Sequence, residues 1–463
     1  MQIRKIFGGV LACFAVFFTA CAEAAPIESL RTSVSPARVR IVLDSKEPIA
    51  YKAEKNNLKL EIELPQSAAQ KQQPKLDDAW LKSVRLEPAG KNAARLLVNF
   101  KKDCQYKIYQ LTGPHRLVID IFRINIVKQS KTLAKGVTYS YLQDEMNGRQ
   151  IQAYLVELAP TANYMLLPFS AAGTYNGRGL VSQQAAARKM LAAVNASYFD
   201  TDGWVVGTIK NQGLMMALDE QPRSGIAIAD GAAEVLADIG YAGVVRLPNG
   251  KELHIKGMNR ARIADDLVLY NSFYAPTTKT NSFGREVKLT NNRVTAVSTA
   301  GNMPITPGSV ILSGHGVNAA ALASLRVGDK VEFKESLGSA AADAASTVVS
   351  GGPLLVERGR ANVRVQEEKI APDIAKGRAP RTAVGVKKDG TVLLLVVDGR
   401  NNNSAGLTLQ ELATYMLRLG ARDAVNFDGG GSSVMAINGQ VVNKPSDGKE
   451  RKVSIGLGLF TKR

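Results

Sequence analysis

The stretch AVNFDGGGSSVMAING, residues 424–439, ends an apolar run in Asn426 and Asp428 and follows it at once with Gly429, Gly430, Gly431, Ser432 and Ser433. Glycine loses more conformational freedom on folding than any other residue, so three in a row need a reason. One glycine would serve a tight turn. Three let the backbone approach a ligand closely and turn N–H groups toward an anion, and the two serines add hydroxyl donors. A carboxylate beside such a loop reads as a site. A second carboxylate, Asp398, ends the apolar run VLLLVVDGR (392–400) and is followed by Arg400, while Arg381 precedes the hairpin leading into that run. A third polar segment, VNASYFD (194–200), carries Asn195, Ser197 and Asp200 at the end of another apolar run, where a loop cap is the competing explanation. SGHG (313–316), containing His315, and SGGPLL (350–355) are further glycine-rich loops.

The elements that must position these residues are readable. TAVGVKKDGTVLLLVVDGR (382–400) is a hairpin, with Asp389-Gly390 as its turn signal. TLQELATYMLRLG (408–420) is a helix. Thr408 and Glu411 have capping-box spacing, Leu409, Leu412, Met416 and Leu419 form an apolar stripe, and Gly420 is the stop. DAVNF (423–427) is the next strand. Strand, helix, strand implies a βαβ unit with parallel strands, which puts Asp398 and Asp428 at one rim of the sheet. The expected fold is therefore an α+β catalytic domain with a mixed sheet and a C-terminal βαβ unit, preceded by an all-β sandwich. The catalytic domain spans 136–463, with 226–335 as a β subdomain.

The sandwich is expected over residues 28–125. ARVRIVLD (37–44), NLKLEIEL (57–64), ARLLVNF (94–100) and HRLVIDIF (115–122) alternate with period two. RVRIVLDSKEPIAYK (38–52) also aligns by residue type with ARLLVNFKKDCQYK (94–107), a duplicated β unit.

The chain has 463 residues and a net charge of +18, which points to anionic partners. Residues 1–24 read as a secretory signal peptide: Arg4 and Lys5, an apolar run from Ile6 to Phe18, then Ala22-Glu23-Ala24. Cys21 offers the alternative of lipoprotein anchoring. The expected place is the periplasm or cell envelope, so acidic glycans and phosphate-containing polymers are favoured as partners over nucleic acid. Only Cys13, Cys21 and Cys104 occur, so a disulfide framework is not expected. The apolar leader is too short to span a bilayer. There is no G-x-S-x-G elbow, no P-loop and no zinc-ligand pattern among the three histidines.

VNASYFD, SGHG, SGGPLLV, RTAVGV, VVDGR, LTLQELATYMLRLGARDAVNFDGGGSSVM and VVNKPSDGKERKV occur in the order seen in the phosphodiester glycosidase family, which residues 136–463 resemble. That family includes the enzyme that uncovers mannose 6-phosphate by removing N-acetylglucosamine. The resemblance implies hydrolysis of a sugar-1-phosphodiester. The residue chemistry suits it. Asp398 and Asp428 would stabilise positive charge on the sugar or activate water. Arg381 and Arg400 would hold the phosphate by paired hydrogen bonds. Asn195, Asp200, His315, the Gly429–Ser433 loop and Asp447 are the expected substrate contacts. Asp428 and Asn426 could instead hold calcium, and the sequence leaves the catalytic and metal roles both open. The N-terminal strands resemble an AMIN domain, which implies cell-wall binding. The rival function is a non-catalytic wall-binding envelope protein.

Overall fold

The computed structural model describes residues 26–462, apart from 35–37, 57, 79, 103, 124–126, 174–175 and 220. The signal-peptide reading, with Cys13 and Cys21, lies outside the described residues. The chain divides into two compact units, one up to residue 124 and one from residue 125.

In the first unit, strands Ile27–Val34, Arg38–Ser45, His115–Arg123 and Cys104–Leu111 form one sheet in that order. Strands Lys52–Asn56, Lys59–Pro65, Ala93–Phe100 and Leu81–Pro88 form the other. All neighbours are antiparallel. One core, including Ile41, Leu43, Leu60, Ile62, Leu96 and Ile119, draws from both sheets. The internal repeat has a topological meaning. Each set of four strands places its first two in one sheet and its last two in the other, so shifting the chain by four strands exchanges the two sheets.

The second unit corrects the expected fold class. Across the described residues strands make up 50% and helices 9%, and the second unit is itself mostly β with several small sheets rather than α+β. Its eight-stranded sheet has no mixed character, because every neighbouring pair is antiparallel. Val392–Val397 and Ala421–Asn426 do run in the same direction, but Arg381–Lys387 lies between them and pairs antiparallel with each. The helix Leu409–Arg418 thus joins next-but-one neighbours, and no βαβ pair forms. The error has a physical source. A strand buried on both faces reads as a continuous apolar run whether its sheet is parallel or antiparallel.

Both faces are buried because the sheet is an inner layer. Val392, Leu394 and Val396 join a core shared with a five-stranded sheet of Tyr164–Ser170, Ile455–Thr461, Ala192–Asn195, Met435–Ile437 and Gln440–Val441. Leu393, Leu395 and Val397 point the other way, against Leu409, Leu412 and Met416 of the helix. The helix carries the expected capping box between Thr408 and Glu411. Beyond the five-stranded sheet, Val181 and Ala185 of the short helix Val181–Ala187 pack on Ala193, Val434 and Ala436. The order of layers is helix, sheet, sheet, helix. Strands between Ala242 and Ser336 build two smaller sheets around a further core that includes Val245, Leu269, Val287 and Leu312. Among the described residues no helix is long and apolar enough to cross a membrane.

The helix that joins the Asp398 strand to the Asp428 strand is anchored by a buried ion pair. Arg418 lies 3.6 Å from Asp144, with side chains 3% and 1% exposed, and burial pushes the Asp144 carboxyl up and the Arg418 guanidinium down. Asp144 Oδ2, Arg418 Nε and Nη1, and the Tyr415 hydroxyl have no hydrogen-bond partner. Removing one member strands a buried charge, whereas replacing both by apolar groups does not. Arg418→Met should therefore lower the stability of the second unit by about 3 kcal/mol. Arg418→Met with Asp144→Leu should recover most of that loss. Urea unfolding of the full chain reads both, and a double variant as unstable as the single one would contradict the assignment.

Candidate active site

The segment from Phe427 to Val434 carries the chain from one stacked sheet to the other, leaving Ala421–Asn426 and entering Met435–Ile437. Phe427 fills the shared core and its N–H donates to the Thr382 carbonyl at 2.8 Å. The Asp428 N–H donates to the Ala196 carbonyl at 2.9 Å. Asn195 fastens the crossing at both ends. Its Nδ2 donates to the Asp428 carbonyl at 2.6 Å, while its Oδ1 accepts from Thr382 Oγ1 at 2.7 Å and from the Val434 N–H at 3.1 Å. Asn195 is 1% exposed. Its side chain is thus spent on the frame around the loop.

Each of the three glycines meets an arginine. A methyl group on Gly429 would lie 2.9 Å from the Pro380 carbonyl oxygen and 3.7 Å from Arg381 Cδ. One on Gly430 would lie 3.5 Å from both terminal nitrogens of Arg400, and Gly430 has φ +60. One on Gly431 would overlap the Arg451 guanidinium and the Asp447 carboxylate. Side chains here would be pushed into the guanidinium groups, and Gly430 also needs a left-handed backbone. Residues Gly430–Ser432 form a single 3-10 turn.

The three arginines differ in their partners. Arg381 is 2% exposed; Nε donates to the Leu407 carbonyl at 2.9 Å, and Nη2 to the Ile374 and Gly377 carbonyls at 3.0 and 2.7 Å. Burial lowers its pKa, the Tyr198 phenol opposes that shift and Arg400 adds to it. Arg400 is exposed and holds φ +60, a left-handed conformation that a non-glycine side chain adopts at a cost. Neither arginine has a carboxylate within ion-pair distance among the described residues. Arg451 is paired with Asp447 at 2.6 Å, its Nε donating to Oδ2 at 2.7 Å.

Asp428 is half-buried, and burial pushes its carboxyl up to about 6; the Ser432 hydroxyl, the Gly429 N–H and the Arg451 charge restrain the rise. Tyr198 belongs to the same group. Its pKa is raised by burial and by the Asp428 charge. Its hydroxyl donates to the Gly352 carbonyl at 2.9 Å and accepts from Asn426 Nδ2 at 2.9 Å, and the Arg223 guanidinium lies over its ring at 5.7 Å. Asn426 Oδ1 and Ser433 Oγ are buried without partners, so the site has polar capacity in reserve. Among the described residues no three His, Cys, Asp or Glu side chains gather as a metal cage. Asp428 and Asn426 together supply few of the six to eight oxygens that calcium takes.

Asp398 has a different environment. It is fully buried and its pKa is raised by that burial. Its carboxylate accepts from the Tyr154 hydroxyl at 3.0 Å, from Asn443 Nδ2 at 3.2 Å and from the Lys444 N–H at 3.1 and 3.2 Å. Asn443 also donates to the Ser433 carbonyl at 3.1 Å, which ties Asp398 to the end of the glycine loop. Two predicted residues are placed elsewhere. Asp200 is exposed in a hairpin turn and accepts from the Asp202 and Trp204 N–H groups at 3.0 and 2.8 Å. His315 Nδ1 accepts from the Asp265 N–H at 3.0 Å, at the turn after Ser309–Gly314. Tyr198 and Arg451 were not singled out from sequence, although both lie inside the motifs VNASYFD and KPSDGKER.

Comparison with known proteins gives this geometry a context. The crystal structure of a hypothetical protein from Synechocystis is 22% identical, covers 95% of this chain and 81% of its own, and superposes with a TM-score of 0.64, which shows a shared fold. The SPbeta prophage-derived uncharacterized protein YomE of Bacillus subtilis is 43% identical over 74 residues, 16% of this chain and 12% of its own. The N-acetylglucosamine-1-phosphodiester alpha-N-acetylglucosaminidase of Bos taurus is 42% identical over 67 residues, 14% of this chain and 12% of its own. The chain thus spans about an eighth of these two curated relatives. Residues 283–460, which hold the glycine loop, Asp398, Asp428 and the three arginines, match the model of the phosphodiester glycosidase family.

Proposed function

We propose that the protein hydrolyses a sugar-1-phosphodiester in an envelope glycan or glycoconjugate, releasing the sugar from its phosphate. The observation that carries the reading is the glycine loop, which sets one half-buried carboxylate among three arginines within the residues that match the family. Water adds to the anomeric carbon, the bond from that carbon to the phosphate oxygen breaks, and the phosphate keeps the electron pair. Arg381 and Arg400, which lack carboxylate partners, suit the anionic leaving group. Asp428 in its charged form stabilises positive charge on the sugar or takes the proton from water. Asp398, buried and saturated with donors, acts as a positioning group for Ser433 through Asn443.

The first unit is proposed to hold the protein on cell-wall polymer after export, as the AMIN resemblance implies. Its outer face has a groove of about 520 Å³ lined by Arg31, Arg40 and Arg116 with Thr32 and Ser33. Arg31 and Arg40 are paired with Asp44 and Asp120, and among the described residues Arg116 has no carboxylate within ion-pair distance, its charge reaching Asp44 only at longer range. The groove suits acid groups at modest affinity.

Three outcomes test these readings. Asp428→Asn should reduce sugar release by 100-fold or more, roughly 3 kcal/mol of barrier, as followed by NMR on a panel of sugar-1-phosphodiesters. The variant should melt no lower than the parent at pH 7. The folded state raises this carboxyl from 3.8 to about 6, so Asp428 stabilises the fold only while protonated, and that contribution is lost as pH rises through about 6. Near-normal turnover in the variant would end the assignment. Recovery with added calcium would move Asp428 from catalysis to metal holding.

The pH profile is a second check. If Asp428 acts charged, kcat/KM should rise with pH through about 6 and then level off. A profile that falls across that range would make Asp428 an acid instead.

For the first unit, Arg116→Glu in the full chain should weaken co-sedimentation with isolated cell wall while leaving turnover of a soluble substrate unchanged. Undiminished sedimentation would remove the groove from wall binding.

A further inference from the structure

The eight-stranded sheet extends past the layer that covers it. Its last three strands are Arg149–Leu158, Val137–Met146 and the edge strand Val127–Ala134. Register places Tyr154, Tyr141 and Gln129 side by side in one cross-strand row. Lys131 stands beside Tyr139 in the next row on the same face. This is the face that packs into the shared core, and Tyr154 is buried within it. Tyr139 and Tyr141 are only half-buried, and Gln129, Ser130 and Lys131 are exposed. A cavity of about 420 Å³ opens over them, with Val442 at its far side. The sheet therefore ends in an aromatic ledge, where an apolar face runs out beyond its cover.

From this geometry we infer a second binding site, an acidic-saccharide subsite on the Tyr139–Tyr141–Tyr154 ledge. Tyrosine faces suit the C–H faces of pyranose rings, because each ring is apolar in its body and polar at its tip. The Tyr141 and Tyr154 rings lie 5.4 Å apart and tilted by 44°, so they form a bent floor. Neighbouring strands are spaced by about 4.8 Å, so the row from Gln129 to Tyr154 is roughly 10 Å long, enough for two sugar rings. The Gln129 side chain offers a donor and an acceptor for hydroxyls. Among the described residues Lys131 is the single charged group lining the cavity. A neutral sugar would leave that lysine unused, while an acid group on the sugar would meet it. The carboxylate of a uronic acid and a sugar-borne phosphate are alike in this respect.

The ledge is also connected to the glycine loop. The Tyr154 hydroxyl donates to Asp398 from beneath the cavity, and Asn443, next to Val442, donates to both Asp398 and the Ser433 carbonyl. An occupant of the ledge would thus lie against the scaffold of the proposed catalytic loop, as the more distant sugars of an extended substrate would. Only the choice of ligand class rests on the function proposed above; the cavity and its lining do not.

The test uses the full chain carrying Asp428→Asn, so that no probe is consumed, with binding read by calorimetry. Tetragalacturonate, glucose 1-phosphate and neutral maltotetraose are the probes. At least one acidic probe should bind with Kd of about 1 mM or tighter, and Lys131→Glu should weaken it at least tenfold. Binding of tetragalacturonate alone assigns the carboxylate source, and binding of glucose 1-phosphate alone assigns the phosphate source. Tyr141→Ser should abolish binding of the preferred probe, with the far-ultraviolet circular dichroism of the variant as the folding control. If no acidic probe binds, if maltotetraose binds equally well, or if Lys131→Glu changes nothing, the ledge is packing surface only and the inference is wrong. These readouts are independent of turnover. Failure to release sugar from any phosphodiester would overturn the proposed function while leaving ledge binding intact, and the reverse holds equally.

Discussion

One buried side-chain amide sets the position of everything around Asp428. Asn195 stands at the end of a strand in one sheet and binds Thr382 in the facing sheet, the Asp428 carbonyl at the start of the crossing and the Val434 N–H at its end. A segment that changes sheets cannot be held by ladder hydrogen bonds, because it belongs to neither ladder. Without Asn195 the Asp428 carbonyl and the Val434 N–H would lose these partners, at a cost of about 1–3 kcal/mol each. An amide carries its donor and its acceptor on separate atoms, so one residue answers both ends. With the ends fixed, the glycines between them have a short span to cover and little freedom in covering it.

That fixed span decides the electrostatics. Arg381 is buried with carbonyl oxygens as its acceptors and no carboxylate. Carbonyl dipoles satisfy the hydrogen-bonding of a guanidinium without cancelling its charge. The uncompensated charge then persists in a low-dielectric surround, where it acts on neighbours more strongly than it would in water. Arg400 adds a second guanidinium at the exposed rim, held there with a left-handed backbone. Two cations with no carboxylate partner among the described residues suit an anion beside them, as the function proposed above requires. A binding site that pays part of its cost in the folded state, as strain and unmatched charge, needs less reorganisation when the ligand arrives.

The sequence was informative where local chemistry decides and silent where topology does. The glycine loop, the helix with its Thr408–Glu411 box and the strand repeat of the first unit could all be read from neighbouring residues. The α+β assignment failed because a run such as Val392–Val397 records only that both faces are buried. It does not record that Arg381–Lys387 would insert between the two strands that flank the helix. Candidate site residues were legible as motifs but not as roles. Asn195 and Asp428 look equally polar in sequence, and only the fold separates the buried residue that holds the loop from the one that keeps partial exposure. Tyr198 and Arg451 lay inside recognised motifs, yet a tyrosine three residues past a strand and an arginine in a basic run have many ordinary explanations. His315 and Asp200 sat in suggestive loops whose turns already account for them.

The two aspartates show how burial alone can divide the work between identical groups. Both end strands of the same sheet, both point out of the same end of it, and burial raises both pKa values. Asp398 is enclosed by Tyr154, Asn443 and Lys444, so its lone pairs are taken and no substrate atom can reach it without displacing a donor. Asp428 retains partial exposure and fewer donors, so its charge is available and its protonation lies near neutrality. A carboxylate that is saturated stiffens its surroundings, and one that is under-solvated reacts. The strand between them, Arg381–Lys387, keeps the two apart while its first residue supplies the buried guanidinium. The insertion that the sequence did not reveal is therefore what leaves Asp398 enclosed as scaffold and Asp428 partly exposed, as the catalytic role proposed for it requires.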